Sequence, residues 1–367
     1  MDKLNYKMGH FVALFVLLLS AVACHSASQN ATAVSCTISK YNLDHINQAQ
    51  SECSEITIDS LIVPYGVTLD LTKLKTGAKL IFRGTTVWQY EEWEGPLLKI
   101  KGTNVEVTGS DDHVLDGRGA LWWDGKGGNG GKVKPHFMKA TVTNSVIHKL
   151  NIKNTPVQAF SVNGCIDSVV QYITIDNKDG DTKGGHNTDA FNVNSCNNIT
   201  IKHCTVYNQD DCMAMNSGYN TYFLDNYCSG GHGISIGSVG NGATVQGVLV
   251  DGCQIVDSDN GIRIKTKYGE TGSVSDVTYQ NIVLKNIHRY GITMQGDYGS
   301  SGGVPTGGVP ISHLTLKNVT GTVDKGGANI YILVENASDW HFSDINVTGG
   351  QKKMSCKGIP AGTGVSC

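Results

Sequence analysis

Short stretches in which apolar, mostly β-branched residues alternate with polar ones recur through most of the chain. Examples are NSVIHKLNIKN (144–154), DSVVQYITIDN (167–177), NNITIKHCTVYN (197–208), GVLVDGCQIVD (247–257), SDVTYQNIVLKN (275–286) and ISHLTLKNVTG (311–321). Each holds an alternating run, a polar break and a second short apolar run, often followed by Asn or Asp. A period of two puts successive side chains on opposite faces of a strand, and the runs are too short and too β-branched for helices. Between them lie AFSVNG, AFNVNS, GISIGS, GIRIKT and GITMQG, which also read as short strands. The pattern returns every ~20–30 residues, a coil-length period. Short strands and turns at that period predict an all-β, right-handed parallel β-helix, in which each coil stacks on its neighbours around a shared interior. A β-sandwich would need hairpin turns and longer alternating strands, and leucine-rich repeats would need their Leu pattern. Residues 36–55 are expected to form a short N-terminal helical cap. No Pro/Ser-rich linker divides the chain, which predicts one domain from residue 24 to 367.

Composition adds the setting. Hydrophobic residues make up 40% of the 367, enough for a large core, and 45 Gly against 7 Pro suits many tight turns. A net charge of −3 argues against a nucleic-acid partner, which would call for a basic face. The N-terminus is mildly basic and continues into FVALFVLLLSAVA, then small residues. That predicts a signal peptide over residues 1–23, cut between 23 and 27, because the apolar run is too short to span a membrane comfortably. The expected destination is extracellular, with no membrane attachment after cleavage. Eleven cysteines fit an oxidising compartment. One, Cys24, lies at the cleavage site. Sequence neighbours suggest the bridges Cys36–Cys53, Cys212–Cys228 and Cys356–Cys367, while Cys165, Cys196, Cys204 and Cys253 read either as stacked core thiols or as further bridges. Zinc spacing is absent, and no metal or cofactor is expected. Sequons at Asn30, Asn198, Asn318, Asn336 and Asn346 suit a secreted chain.

The candidate chemistry begins at QDDC, where Asp210 and Asp211 stand side by side. An acidic pair alone says little, since Asp111–Asp112 is another. Context separates the two. Asp189, in NTD, lies 21 residues before Asp210, and His232, in GHG, lies 21 after Asp211. Each interval is about one coil, and neighbouring strands lie ~4.8 Å apart. Asp189, the acidic pair and His232 are therefore expected on one patch. RIK then supplies Arg263 and Lys265, two apart and so on one side of a strand. Taken singly, Asp189 could cap a turn, His232 could pack in the core, and the two cations could form a solvated face. In phase on adjacent coils, they suggest glycoside hydrolysis of an acidic sugar. One carboxyl protonates the leaving oxygen, another activates water or attacks, and the cations hold sugar carboxylates. Crowded carboxylates raise one another's proton affinity, which keeps one acid protonated at mildly acidic pH.

The set NTD, QDDC, GHG and RIK, in that order and at these intervals, resembles the signature motifs of polygalacturonases, glycoside hydrolase family 28. LDGRGALWWDG and KPHFM also resemble that family, and the likeness runs over approximately residues 36–367. It implies a solenoid of the pectin-lyase-like kind and endo-acting hydrolysis of α-1,4 bonds in polygalacturonate with inversion. It implies Asp210 as general acid, Asp189 and Asp211 as the residues that orient and activate water, and His232 as an assistant near the acid. Arg263, Lys265 and Tyr298 (in QGDYGS) are implied substrate-binding residues. Asn187 and His186 are given no role. The expected partner is pectin, and the expected state is a monomer. Spacing by itself leaves retention open, because stacked carboxylates ~5 Å apart fit it equally well. Exo action, a rhamnogalacturonan- or xylogalacturonan-type specificity, a calcium-dependent lyase on the same architecture and a silent wall-binding homologue are the rival readings.

Overall fold

The computed structural model describes residues 34–300 and 302–367. The expected signal segment, Cys24 and the sequon at Asn30 lie outside the described residues. From Val34 onward the chain winds as a parallel β-helix: the described strands join in one 30-stranded system, and each coil pairs in parallel with the coil before it. Register is set by apolar residues that point inward. Leu98, Met138, Phe160, Phe191, Met213 and Ile234 sit level on six successive coils and are all fully buried. The Phe160 and Phe191 rings lie 5.9 Å apart. Burying one such side chain stabilises the fold by about 1.5–3 kcal/mol, and a one-residue slip would turn the whole row to solvent.

The corners of the coils have a backbone cause. Asp167, Asn198, Asn220, Gly247 and Asp276 fall level between paired residues, and each has φ between +48° and +72°. At each such corner one left-handed residue bends the chain from one sheet face to the next. Asn and Asp tolerate that conformation and glycine adopts it freely. A second such row runs through Tyr172, His203, Asp225 and Gly252, at φ +52° to +67°.

The N-terminal cap is the helix Leu43–Glu52. Asn42 caps it by accepting from the His45 N–H at 2.9 Å, and Ile46 and Ala49 face the first coil. The three bridges expected from sequence adjacency are formed, Cys36–Cys53, Cys212–Cys228 and Cys356–Cys367. Of the two readings of the other four cysteines, buried free thiols is the one found. Cys204 and Cys253 are kept apart by Asn226 on the coil between them, whose Oδ1 accepts the Cys204 N–H at 2.8 Å. Cys212 follows Asp211 directly, so its bridge to Cys228 ties the acidic turn to the next coil. The double variant Cys212→Ser/Cys228→Ser is expected to lose about 2–4 kcal/mol of stability. Chemical denaturation under non-reducing conditions reads that loss, and an unchanged midpoint would show that the bridge does not brace this turn.

Candidate active site

The pairing Phe191↔Met213↔Ile234 makes the residues two places earlier level as well, namely Asp189, Asp211 and His232. Asp210 precedes that row by one residue. Arg263 and Lys265 stand on the strand Asn260–Lys267, flanked by the inward Ile262 and Ile264, so both turn outward. Arg263 is level with Ser235 on the preceding coil. Tyr298 ends the strand Tyr290–Tyr298, and its ring centroid lies 5.6 Å from Arg263 Cζ and 5.4 Å from Lys265 Nζ. All seven residues singled out from the sequence thus meet on one face of five successive coils. The Asp111–Asp112 pair, in contrast, lies exposed on a turn, with Asp112 bonded to the Ser110 hydroxyl.

Each carboxyl has its own environment. Asp210 Oδ1 accepts from the Asp211 backbone N–H at 2.7 Å and lies 3.0 Å from His232 Nδ1. Its Oδ2 accepts from Asn187 Nδ2 at 2.8 Å. Asp211 is almost fully buried. Its Oδ1 accepts from Ser235 Oγ at 2.6 Å, and its Oδ2 from Lys265 Nζ at 2.5 Å. Asp189 Oδ2 accepts from Asn192 Nδ2 at 3.1 Å. Arg263 is held more loosely: Nη1 lies 3.9 Å from Asp211 Oδ1, Nη2 donates to Gln295 Oε1 at 3.3 Å, and its buried Nε has no partner.

These surroundings pull the proton affinities apart. Burial, with Asp210 and Asp211 close by, pushes the Asp189 carboxyl well above the usual range. Burial would also raise Asp210, but the His232 hydrogen bond and charge, with Lys265 and the Asp211 N–H, outweigh it and hold the carboxyl at about 2. Burial would lower His232, yet its bond to Asp210 and the charges of Asp210, Asp211 and Asp259 hold it above the ordinary histidine value. The arrangement can therefore keep a proton on the His232–Asp210 pair at a pH where Asp210 alone would be ionised. The two groups titrate as a unit.

A cavity of about 210 Å³ opens above Asp210. Asn129, His186, Asn187, Asp259, Asn260 and Arg289 share its wall with His232, Arg263 and Tyr298. Ser235, Asn192, Asp259 and Arg289 were not singled out from the sequence. Ser235 and Asn192 could have been: each stands on the outward row level with Arg263, which strand register discloses. Asp259 and Arg289 lie between strands, where pairing says nothing. Asp210, Asp211 and His232 present ligand atoms within 4.8 Å of one another. A cation fits poorly among them, because the Lys265 ammonium already stands on Asp211 Oδ2 and the His232 ring on Asp210 Oδ1.

Residues 53–367 match the model of glycosyl hydrolases family 28. A polygalacturonase of Cochliobolus carbonum is 51% identical over 359 residues, 95% of this chain and 98% of its own. Endopolygalacturonase I of Aspergillus aculeatus is 49% identical over 336 residues, 90% of this chain and 89% of its own. The solved structure of endopolygalacturonase I from Stereum purpureum, in complex with two galacturonates, superposes with a TM-score of 0.80 at 38% identity. That match covers 86% of this chain and 95% of that one.

Proposed function

The chain belongs to glycosyl hydrolases family 28, and from that premise we propose that it is an endo-acting polygalacturonase that cuts α-1,4 bonds within pectin. The observation that carries this reading is Asp210 with the level row Asp189, Asp211 and His232, set against the outward Arg263 and Lys265. A carboxyl that shares a proton with His232, with two further carboxyls beside it, suits an acid and a water-activating pair, and fixed cations suit an acidic sugar. Endo action agrees with the relatives named as endopolygalacturonases. Product sizes over time on polygalacturonate test it: oligomers of middle length appear first, and monomer alone from the start would overturn it.

In this reading the leaving oxygen settles against Asp210. The His232–Asp210 pair supplies its proton, because a filled, drier cleft disfavours an ion pair relative to neutral partners. Asp189 and Asp211 hold the water on the other side. Both oxygens of Asp211 already accept short hydrogen bonds, which suits a residue that orients water better than one that must attack carbon and supports inversion. The anomer released first, read by proton NMR, separates the two outcomes. Arg263, beside Tyr298 on the cavity wall, meets a sugar carboxylate with its free N–H groups. Three disulfides and exposed sequons at Asn198, Asn318, Asn336 and Asn346 fit work outside the cell, as a monomer on the polysaccharide.

The pH profile follows with a definite sign. His232 binds its proton more tightly than a free histidine, so activity persists through the ordinary histidine range and falls as pH rises past the elevated value. His232→Ala removes that proton store and leaves Asp210 to titrate alone. Its alkaline limb is expected at lower pH, with kcat down about 10–100-fold. A limb that stayed in place in the variant would exclude the pair as the acid.

A further inference from the structure

The glycine-rich stretch DGKGGNGGKVK, residues 124–134, is built as a closed loop. Asp124 accepts from the Lys126 and Lys132 N–H groups at 3.0 and 2.9 Å, and from the buried Lys134 ammonium at 2.9 Å. Gly125 N–H donates to Gly184 O at 2.9 Å, tying the loop to the chain ahead of Asp189. At the tip, Gly128 N–H and Asn129 Nδ2 both donate to Asn187 Oδ1, each at 3.1 Å. Asn187 has φ +51° and spends its Nδ2 on Asp210 Oδ2 at 2.8 Å. The contact leaves no spare room: a Cβ on Gly127, itself at φ +55°, would stand 2.4 Å from Asn187 Oδ1 and 2.7 Å from His186 O.

We propose that this loop is a positioning device for the acid, in which Asn129 and the Gly128 amide lock the Asn187 side chain with its donor turned toward Asp210. The lock has a simple chemical basis. The Asn side-chain amide has one accepting end and one donating end. Two donors on Oδ1 leave only Nδ2 for the carboxyl. Without them the amide can rotate and set an oxygen against Asp210, which favours the protonated carboxyl. The other groups around Asp210 are His232 and Lys265, which favour its charge, and Asp189 and Asp211, which oppose it. Beyond them stand Asp259 near His232, Arg263 near Asp211, and His186 and Arg289 on the cavity wall. None of these takes the place of the Asn187 donor on Oδ2. Asn129 also lines the cavity, so a bound sugar would touch the residue that sets the acid.

This inference rests on Asp210 being the acid. Its test is Asn129→Ala, with Gly127→Ala as a second variant, each checked for an unchanged melting temperature. Asn129→Ala is expected to lower kcat on polygalacturonate about 3–10-fold with KM changed less than about 2-fold. Its alkaline limb should move up by roughly half to one pH unit, because a donor to a charged group is lost. Gly127→Ala should shift the same limb in the same direction. Limbs that stay in place in both variants would overturn the proposal. So would a loss carried by KM alone, which would make Asn129 a sugar contact only. If Asp210→Asn kept its turnover, the acid assignment itself would fail; if that variant were dead while both loop variants kept the wild-type limb, only the loop proposal would fail.

Discussion

Replacing Asp210 with Asn is expected to lower kcat on polygalacturonate by about 10²–10⁴-fold with little change in stability. The amide keeps the shape of the carboxyl and, with its oxygen at the Oδ1 position, can still meet the Asp211 N–H and His232 Nδ1, although its Nδ2 then faces the Asn187 donor, and it has no acidic proton to pass to the leaving oxygen. General acid catalysis is commonly worth that much. Asp189→Asn and Asp211→Asn should cost a similar factor on the water side. Single-turnover kinetics on a defined oligogalacturonate makes the measurement, with circular dichroism as the control for folding. Near-native turnover in Asp210→Asn would remove the acid from this position.

The second large effect concerns Lys265. From the sequence it is expected to read substrate carboxylates beside Arg263, but the structure puts its ammonium on Asp211 Oδ2 at 2.5 Å with 6% of its side chain exposed. Lys265→Ala therefore takes away a possible sugar contact and also leaves Asp211 buried without its cation. Breaking one side of a buried pair costs about 3–5 kcal/mol. The variant is expected to melt earlier and to lose about 100-fold or more in kcat/KM, with kcat as well as KM affected. Arg263→Ala differs, because Arg263 lies on the cavity wall with a looser hold on Asp211. Its loss should fall mainly on KM, about 10–100-fold on de-esterified pectin, since charge-assisted bonds are worth about 1.5–3 kcal/mol each. Fully methyl-esterified pectin carries no free carboxylate and should be cut poorly even by the unmodified chain. Equal rates on both pectins, or an Arg263→Ala variant with unchanged KM, would take away the carboxylate-reading role.

The fold was legible because a β-helix writes its geometry into the chain as a period. Alternation disclosed which residues point inward, and the alternating segments recurred at a coil-length interval, so coils could be counted. That count brought Asp189, Asp210, Asp211 and His232 together without coordinates, since residues one coil apart must be neighbours. Counting weakens where coils differ in length. Phe191 to Met213 is 22 residues, whereas Ile234 to Ile262 is 28, so Arg263 and Lys265 could be set only about one coil beyond His232.

What the amino-acid sequence determined by itself was the class of fold, the cap, three bridges and the membership of the acidic and basic cluster. Each follows from local periodicity or from short distances along the chain. Tertiary structure alone decided how the charges pair. Which oxygen of Asp211 meets Lys265, and which end of Asn187 meets Asp210, depends on side chains from four coils and on a loop nearly sixty residues upstream, with Asn129 and Asn187 58 residues apart. Hydrogen bonds and ion pairs are made or lost over changes of a few tenths of an ångström, whereas a period in the sequence resolves only the spacing of a strand. The proton affinities of Asp189, Asp210 and His232 lie on the structural side of that line, because burial and partner geometry set them.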